Sequence, residues 1–210
     1  MMDYWQKFEH SSFYHIYNRA VSGKNIFHEQ NDYTRFLKGM EKYLRDYINI
    51  YAYCLIPNHF HLLISIKGKE EIDTDIGMLD SKAKRKYFDD EIDINQLLED
   101  QFRRWYSSYA LGYNNKYKDR GQLFLKRFKR IRVCEEFKFE YMLCYIHYNP
   151  IHHNFRSDYR SWQYSSYNYY VDNQESLLNK KYVMERLENI EVFIELHKKF
   201  KNIARFPNET

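Results

Sequence analysis

Tyr53-Cys54-Leu55-Ile56-Pro57-Asn58-His59-Phe60-His61-Leu62-Leu63-Ile64-Ser65-Ile66 holds two apolar runs parted by Pro57-Asn58, which reads as a tight β-hairpin whose second strand opens at His59. Successive strand side chains point to opposite faces, so His59 and His61 share one face while Phe60, Leu62, Ile64 and Ile66 share the other. Neutral imidazole is a common ligand of divalent transition metals, and two at i and i+2 leave most coordination positions open to a third ligand, water or substrate oxygen. On spacing alone a metal-ligating pair and a pair of half-exposed sheet histidines stand level, because His-x-His is a short pattern. Placement just after the turn favours access by substrate.

Outward from the hairpin, Ser12 to Arg19 reads as a strand and Val21-Ser22-Gly23-Lys24-Asn25 as a turn. The spacing of Tyr33, Phe36, Leu37, Met40, Tyr43, Leu44 and Tyr47 predicts a helix over 30–47, ahead of hairpin strands at Ile50 to Ile56 and His59 to Ile66. Residues 67–93 carry six basic and nine acidic side chains with little sustained apolar pattern, which predicts an exposed insertion. Leu97, Leu98, Phe102, Trp105, Tyr109 and Tyr113 mark the inner side of a helix from Ile94 to about Tyr117. A loop through Gly121 leads to a strand near Phe128 to Val133, and Glu135 and Glu136 suit the start of a further helix, where negative charge complements the dipole. This order predicts an α+β fold, one sheet covered by helices. At 210 residues the chain holds one domain plus appendages: an arm at 1–10, the domain at 11–155, and a C-terminal extension at 156–210 whose amphipathic helix near 181–201 is expected to dock on the domain.

The predicted helix after Glu136 carries Tyr145 and Asn149, one turn apart, which sets their Cβ atoms about 5–6 Å from each other. Pro150 disfavours helical geometry at Asn149, so the helix is expected to stop there and leave the Asn149 amide free to turn toward a ligand. His152 and His153 then fall in a loop. In a chain with 22 tyrosines, Tyr145 taken alone reads as one more core residue.

Charge is unevenly spread. Gln101 to Val133 holds ten Lys or Arg against one Asp, a local balance of +9 in a chain whose net charge is +4. Lys126, Arg127, Lys129, Arg130 and Arg132, interleaved with Phe124 and Phe128 and joined by Arg103 and Arg104, read either as a solvated face or as a phosphate-tracking strip. Aromatic content of 19% suits base stacking, although core packing is the ordinary use of such residues. Cys54, Cys134 and Cys144 form no Cys-x-x-Cys pair, so zinc-ribbon and disulfide-framework classes fall away and a reducing compartment is expected. With no signal-peptide layout at Met1 to Phe8 and no apolar run of membrane-spanning length, the expected location is the cytoplasm.

Phe13-Tyr14-His15-Ile16-Tyr17-Asn18-Arg19, Tyr53 to Ile66, Phe102 to Phe128, Tyr145 to Phe155 and Trp162-Gln163-Tyr164-Ser165-Ser166-Tyr167 together resemble the single-tyrosine HUH (His-hydrophobic-His) transposases, most closely the REP-associated tyrosine transposase branch. The resemblance implies a ferredoxin-like sheet of four or five strands covered by helices. It implies an enzyme that cuts single-stranded DNA through a covalent 5'-phosphotyrosine, leaves a free 3'-hydroxyl, and acts at hairpin-containing repeats as a monomer or homodimer. Carried over by position, His59 and His61 match the metal pair, Asn149 the third ligand of Mg²⁺ or Mn²⁺, and Tyr145 the nucleophile, whereas Tyr141 and Tyr148 do not fit that role. Beside such a site the basic strip reads as DNA-binding. The competing reading is a non-catalytic nucleic-acid-binding module on the same scaffold; a hydrolase using water in place of Tyr145 is a third.

Overall fold

Strand β1 (Phe13–Arg19) leads through helix α1 (Gln30–Leu44) to the hairpin β2 (Ile48–Ile56) and β3 (His59–Ile66) in a computed structural model that describes residues 3–21, 23–74, 82–134 and 136–203. Helices α2 (Lys69–Thr74), α3 (Lys82–Phe88) and α4 (Ile94–Tyr117) follow, then β4 (Lys129–Arg132) and α5 (Glu136–His152), and finally α6 (Tyr167–Val171), α7 (Lys180–Leu187) and α8 (Ile190–Ile203). The four strands are antiparallel in the order β2-β3-β1-β4, the ferredoxin-like arrangement expected from sequence.

The alternation of β3 divides the core into two layers. Phe60 faces α1 and α4, meeting Phe36 at 4.9 Å and Trp105 at 6.0 Å between ring centroids. His61 faces the other way, toward α5, where the Tyr145 ring lies 5.8 Å from it. In the α1–α4 layer Trp105 is wedged against Phe36 and donates its indole N–H to the Phe36 carbonyl at 3.1 Å. Helix α4 starts on a reciprocal cap, with Asp93 accepting from the Gln96 N–H and the Gln96 side chain accepting from the Asp93 N–H, and stops at Lys118 in the left-handed conformation.

Two expectations change. Residues 67–93 are not a featureless exposed insertion, because α2 and α3 bury Ile72 and Tyr87, and Lys84 lies buried beside Asp46 and over the Tyr47 ring. These apolar anchors are too sparse to show as a periodic stripe; residues 75–81 lie outside the described residues. The single helix foreseen near 181–201 is two, α7 and α8, since Glu188 takes a positive φ of 67° and the Asn189 side chain caps the second helix by accepting the Val192 N–H at 2.9 Å.

The C-terminal extension closes the outer edge of the sheet. β2 would otherwise present unpaired backbone groups there. Instead the Leu55 N–H donates to the Tyr164 carbonyl, the Ser166 N–H to the Tyr53 carbonyl and the Trp162 indole to the Leu55 carbonyl, at 2.9 to 3.0 Å. Ser166 also starts a buried polar chain: its hydroxyl lies 2.7 Å from Nε2 of His147, whose Nδ1 lies 2.8 Å from Nε2 of His197, whose Nδ1 donates to the Phe193 carbonyl at 2.7 Å. That last bond fixes the rest, making His197 Nε2 an acceptor and His147 Nδ1 a donor. α5 is thereby tied to both α8 and the sheet edge.

Two outcomes follow from this packing. A Cβ on Gly39 would meet Trp105 at 2.9 Å, so Gly39→Ala is expected to lower stability by about 1–3 kcal/mol in urea melts despite the better helix propensity of alanine. Burial pushes the His197 imidazole from 6.5 down to about 4 and lowers His147 as well, so both rings are neutral in the fold while the unfolded chain protonates them below about 6.5. The unfolded state then holds more protons, and the stability present above pH 6.5 is lost as the pH falls toward 4; a lower urea midpoint at pH 5 than at pH 7.5 checks this.

Candidate functional site

The register of the sheet gathers the site. Arg19 lies opposite His59 and Tyr17 opposite His61, with His15 opposite Leu63, so all of these side chains share the α5 face. His59 follows directly on the Pro57-Asn58 turn, and its Nδ1 donates to Oδ1 of Asn58 at 2.8 Å. Because a carbonyl oxygen only accepts, this bond leaves the lone pair of His59 on Nε2, which is buried with no hydrogen-bond partner. His61 engages Nε2 of His15 through its Nδ1 at 2.8 Å.

α5 brings the other components. The Tyr145 ring stands edge-on to both His61 and His15, each at 5.8 Å, and is only 4% exposed. One turn later Asn149 donates through Nδ2 to the Tyr145 carbonyl at 3.1 Å, which leaves its buried Oδ1 without a partner. The expected helix stop at Asn149 does not occur. α5 runs through Pro150 to His152, because a proline withholds one N–H from the carbonyl a turn earlier and near a helix end that loss is small. The Asn149 amide is therefore aimed by the helix and by its own bond to Tyr145, not released by a break.

The longer helix also gives a place to His153, which sequence assigns to a loop. It continues the four-residue step from Tyr145 and Asn149, and its ring lies 4.5 Å from His59 with a buried, unpartnered Nε2. Placing the end of the helix at Asn149 hides that series. His147 faces away from the site, into the buried chain with His197.

Burial keeps the imidazoles neutral. It brings His59 down to about 3, helped by His153 and opposed by the nearby Asn149 side chain, and it lowers His61 well below 6.5 with help from His15. Neutral rings offer lone pairs. Among the described residues no three His, Cys, Asp or Glu side chains are gathered as a metal centre, and the oxygen beside the paired histidines that is left without a partner is that of the Asn149 amide. Two imidazoles and that orphaned oxygen fit Mn²⁺ or Mg²⁺, oxygen-preferring cations of which Mn²⁺ accepts nitrogen more readily.

A cavity of about 250 Å³ opens beside the histidines, lined by Tyr17, Arg19, His59, Arg127, Lys129 and His153. It shares Asn18, Leu125 and Arg127 with a second cavity of about 550 Å³, where Trp5, Tyr106 and Phe128 meet Arg103 and Lys126. Arg127 lies over the Trp5 ring at 5.3 Å, and Lys129 over Tyr4 and Tyr17 at 4.6 and 5.4 Å.

The sequence strip therefore splits. Strand alternation sends Lys129 to the histidine face and Arg130 to the other, where Arg130 is 4% exposed, pairs with Glu99 at 2.6 Å and donates to the Gln6 carbonyl. Arg130 belongs to the packing of the N-terminal arm and not to an exposed phosphate track. Arg132 pairs with Glu9, Arg103 with Asp100, and Arg104 lies over the Tyr43 ring at 5.3 Å. Arg19, opposite His59, is invisible to sequence reasoning because its role depends on register.

Known proteins resemble this chain in family and in fold. A family profile described as transposase IS200 like matches residues 9–121, a span that contains both histidines of β3 but ends before Tyr145 and Asn149. Among solved structures, that of a REP-associated tyrosine transposase bound to a REP hairpin is similar, with a TM-score of 0.53 and 15% identity over 84% of this chain and 90% of the other. At that identity the likeness concerns the fold. No curated protein shows significant similarity to the chain. Since the matched profile runs over more than half of the residues and through the strands that carry the paired histidines, the chain belongs to the IS200-like transposase family.

Proposed function

We propose that this transposase is a metal-dependent single-strand DNA endonuclease and strand transferase that works through a 5'-phosphotyrosine on Tyr145, at hairpin-containing repeat elements. The observation that carries the reading is the meeting of Tyr145, edge-on to His61, with the unpartnered Nε2 of His59 and Oδ1 of Asn149 on one face of the sheet. The hairpin is carried over from the ligand named for the similar solved structure.

Arg19, Arg127 and Lys129 line the cavity beside His59 and supply the positive field that draws in an anionic backbone. The Tyr145 phenol oxygen attacks phosphorus, the bond from phosphorus to the 3'-oxygen breaks, and the departing oxygen keeps the electron pair and takes up a proton, while the phenol gives one up. The 5'-phosphate is left on Tyr145. Attack by the 3'-hydroxyl of another strand restores a phosphodiester and the phenol, so bond energy is conserved and no nucleotide cofactor is consumed. When bound by His59, His61 and Asn149, a divalent cation supplies charge neutralisation and polarisation of the phosphate. Tyr145 is buried and outside the lining of this cavity, whereas Tyr17 is the phenol that lines it, so the two tyrosines are told apart by substitution.

Incubation with a labelled pool of single-stranded DNA hairpins, with Mn²⁺ or with EDTA, tests the mechanism on a denaturing gel. A covalent protein–DNA band is expected with Mn²⁺, absent in Tyr145→Phe and retained in Tyr17→Phe. Cleavage that persists in Tyr145→Phe without a covalent band indicates a water nucleophile, loss confined to Tyr17→Phe relocates the nucleophile, and hairpin binding without cleavage favours the binding module. For the basic residues, Arg127→Ala or Lys129→Ala is expected to reduce the slope of log affinity against log salt by about 0.7 for each phosphate that the native side chain neutralises. Arg130→Met should leave that slope unchanged and lower the urea midpoint instead.

A further inference from the structure

His15 and His61 are almost fully buried, and their facing nitrogens, Nε2 and Nδ1, lie 2.8 Å apart. Only one proton fits between two neutral imidazoles: one nitrogen donates and the other accepts. Their rings are nearly parallel, 15° apart, with Tyr17 packed at 18° to His15 with centroids 4.7 Å apart and Tyr145 closing the group edge-on. The contact is therefore held on several sides and has little freedom to rotate away. If His61 is to present a lone pair at Nε2, its proton must sit on Nδ1, where Nε2 of His15 lies within hydrogen-bond distance to accept it. His59 is oriented the same way by a different group, the Asn58 side chain. Each histidine of the pair thus has its own acceptor behind it, one from the turn and one from the neighbouring strand.

We infer that His15 is a positioning residue for His61: its Nε2 accepts the Nδ1 proton of His61, and this commits the Nε2 lone pair of His61 to the cation site. The inference rests on the cleavage reading above, and it assigns to β1 a part in the site that the histidine pair of β3 does not reveal. Removing a hydrogen-bonded partner behind a metal-ligating histidine typically weakens metal affinity 10–100-fold. Glutamine carries an acceptor oxygen at a similar reach from the backbone, so it can replace the imidazole of His15 in this task, whereas leucine cannot.

The test uses the full chain without DNA. Mn²⁺ affinity is measured by titration calorimetry for wild type, His15→Leu and His15→Gln, and the nitrogen spectrum of the imidazoles in the metal-free wild type shows which nitrogen of His61 carries the proton. Expected are a proton on Nδ1 of His61, a 10–100-fold weaker affinity in His15→Leu, and affinity within a few-fold of wild type in His15→Gln, with hairpin binding in EDTA unchanged in all three. A proton on Nε2 of His61 overturns the inference whether or not the variants fold. So does a folded His15→Leu chain that binds Mn²⁺ as tightly as wild type, or a folded His15→Gln chain as weak as His15→Leu, and these outcomes leave the cleavage reading standing. A wild type that binds no Mn²⁺ overturns the metal-dependent reading and the task of His15 with it.

Discussion

Strand β3 lies between two neighbours in the sheet and between helical layers on both faces, and its pairing register is the constraint on which the site depends. Ile16 and Leu62, Tyr17 and His61, Arg19 and His59 pair in sequence, and on the other side Cys54 pairs with His61. A slip of one residue would turn Phe60, Leu62 and Ile64 out of the α1–α4 layer and the histidines into it. The apolar layer resists that slip, because Phe60 is enclosed by Phe36, Trp105, Tyr106 and Phe124. The face on which the histidines lie is thus held by apolar residues of the opposite layer, while their rings are oriented by direct partners, Asn58 for His59 and His15 for His61.

The helix that carries Tyr145 is held differently. Its contact with the sheet is reinforced by the polar chain from Ser166 through His147 to His197, which joins the middle of α5 to α8 and to the edge of β2. With Ser166, His147 and His197 fully buried, the chain is strong only because each donor has an acceptor, and a missing member would leave a buried polar group unsatisfied. His147 stands two residues from both Tyr145 and Asn149, so the C-terminal extension sets the position of the proposed nucleophile without lining the cavity.

The basic residues show how one stretch of sequence is divided among tasks. Lys129 and Arg130 are neighbours in the chain, yet the pleat sends one to a cavity beside the histidines and the other under the N-terminal arm. Charge density identifies the region. Which charges line the cavity beside the histidines follows from the pairing of β4 with β1, and the pairing of β1 with β3 brings in Arg19 from outside the cluster.

Much of this is legible in the chain because the signals are local. The Pro57-Asn58 turn, the alternation after His59, the helical spacing from Tyr33 to Leu44 and from Leu97 to Tyr113, and the one-turn step from Tyr145 to Asn149 are set by backbone periodicity within a few residues. The resemblance across these segments points to the family. Other features are decided only in three dimensions, because they depend on partners far apart in sequence. The hydrogen bond of His15 to His61 spans 46 residues, that of Arg130 to the Gln6 carbonyl 124, and the closing of the β2 edge by Ser166 113. His153 is hidden by a local rule, since proline usually marks the end of a helix and here α5 continues past it to place that histidine against His59. Sequence thus determined most of the elements and most of the groups proposed to carry the chemistry; tertiary structure decided which of those groups meet, because hydrogen bonds and burial are properties of the pair and not of either residue.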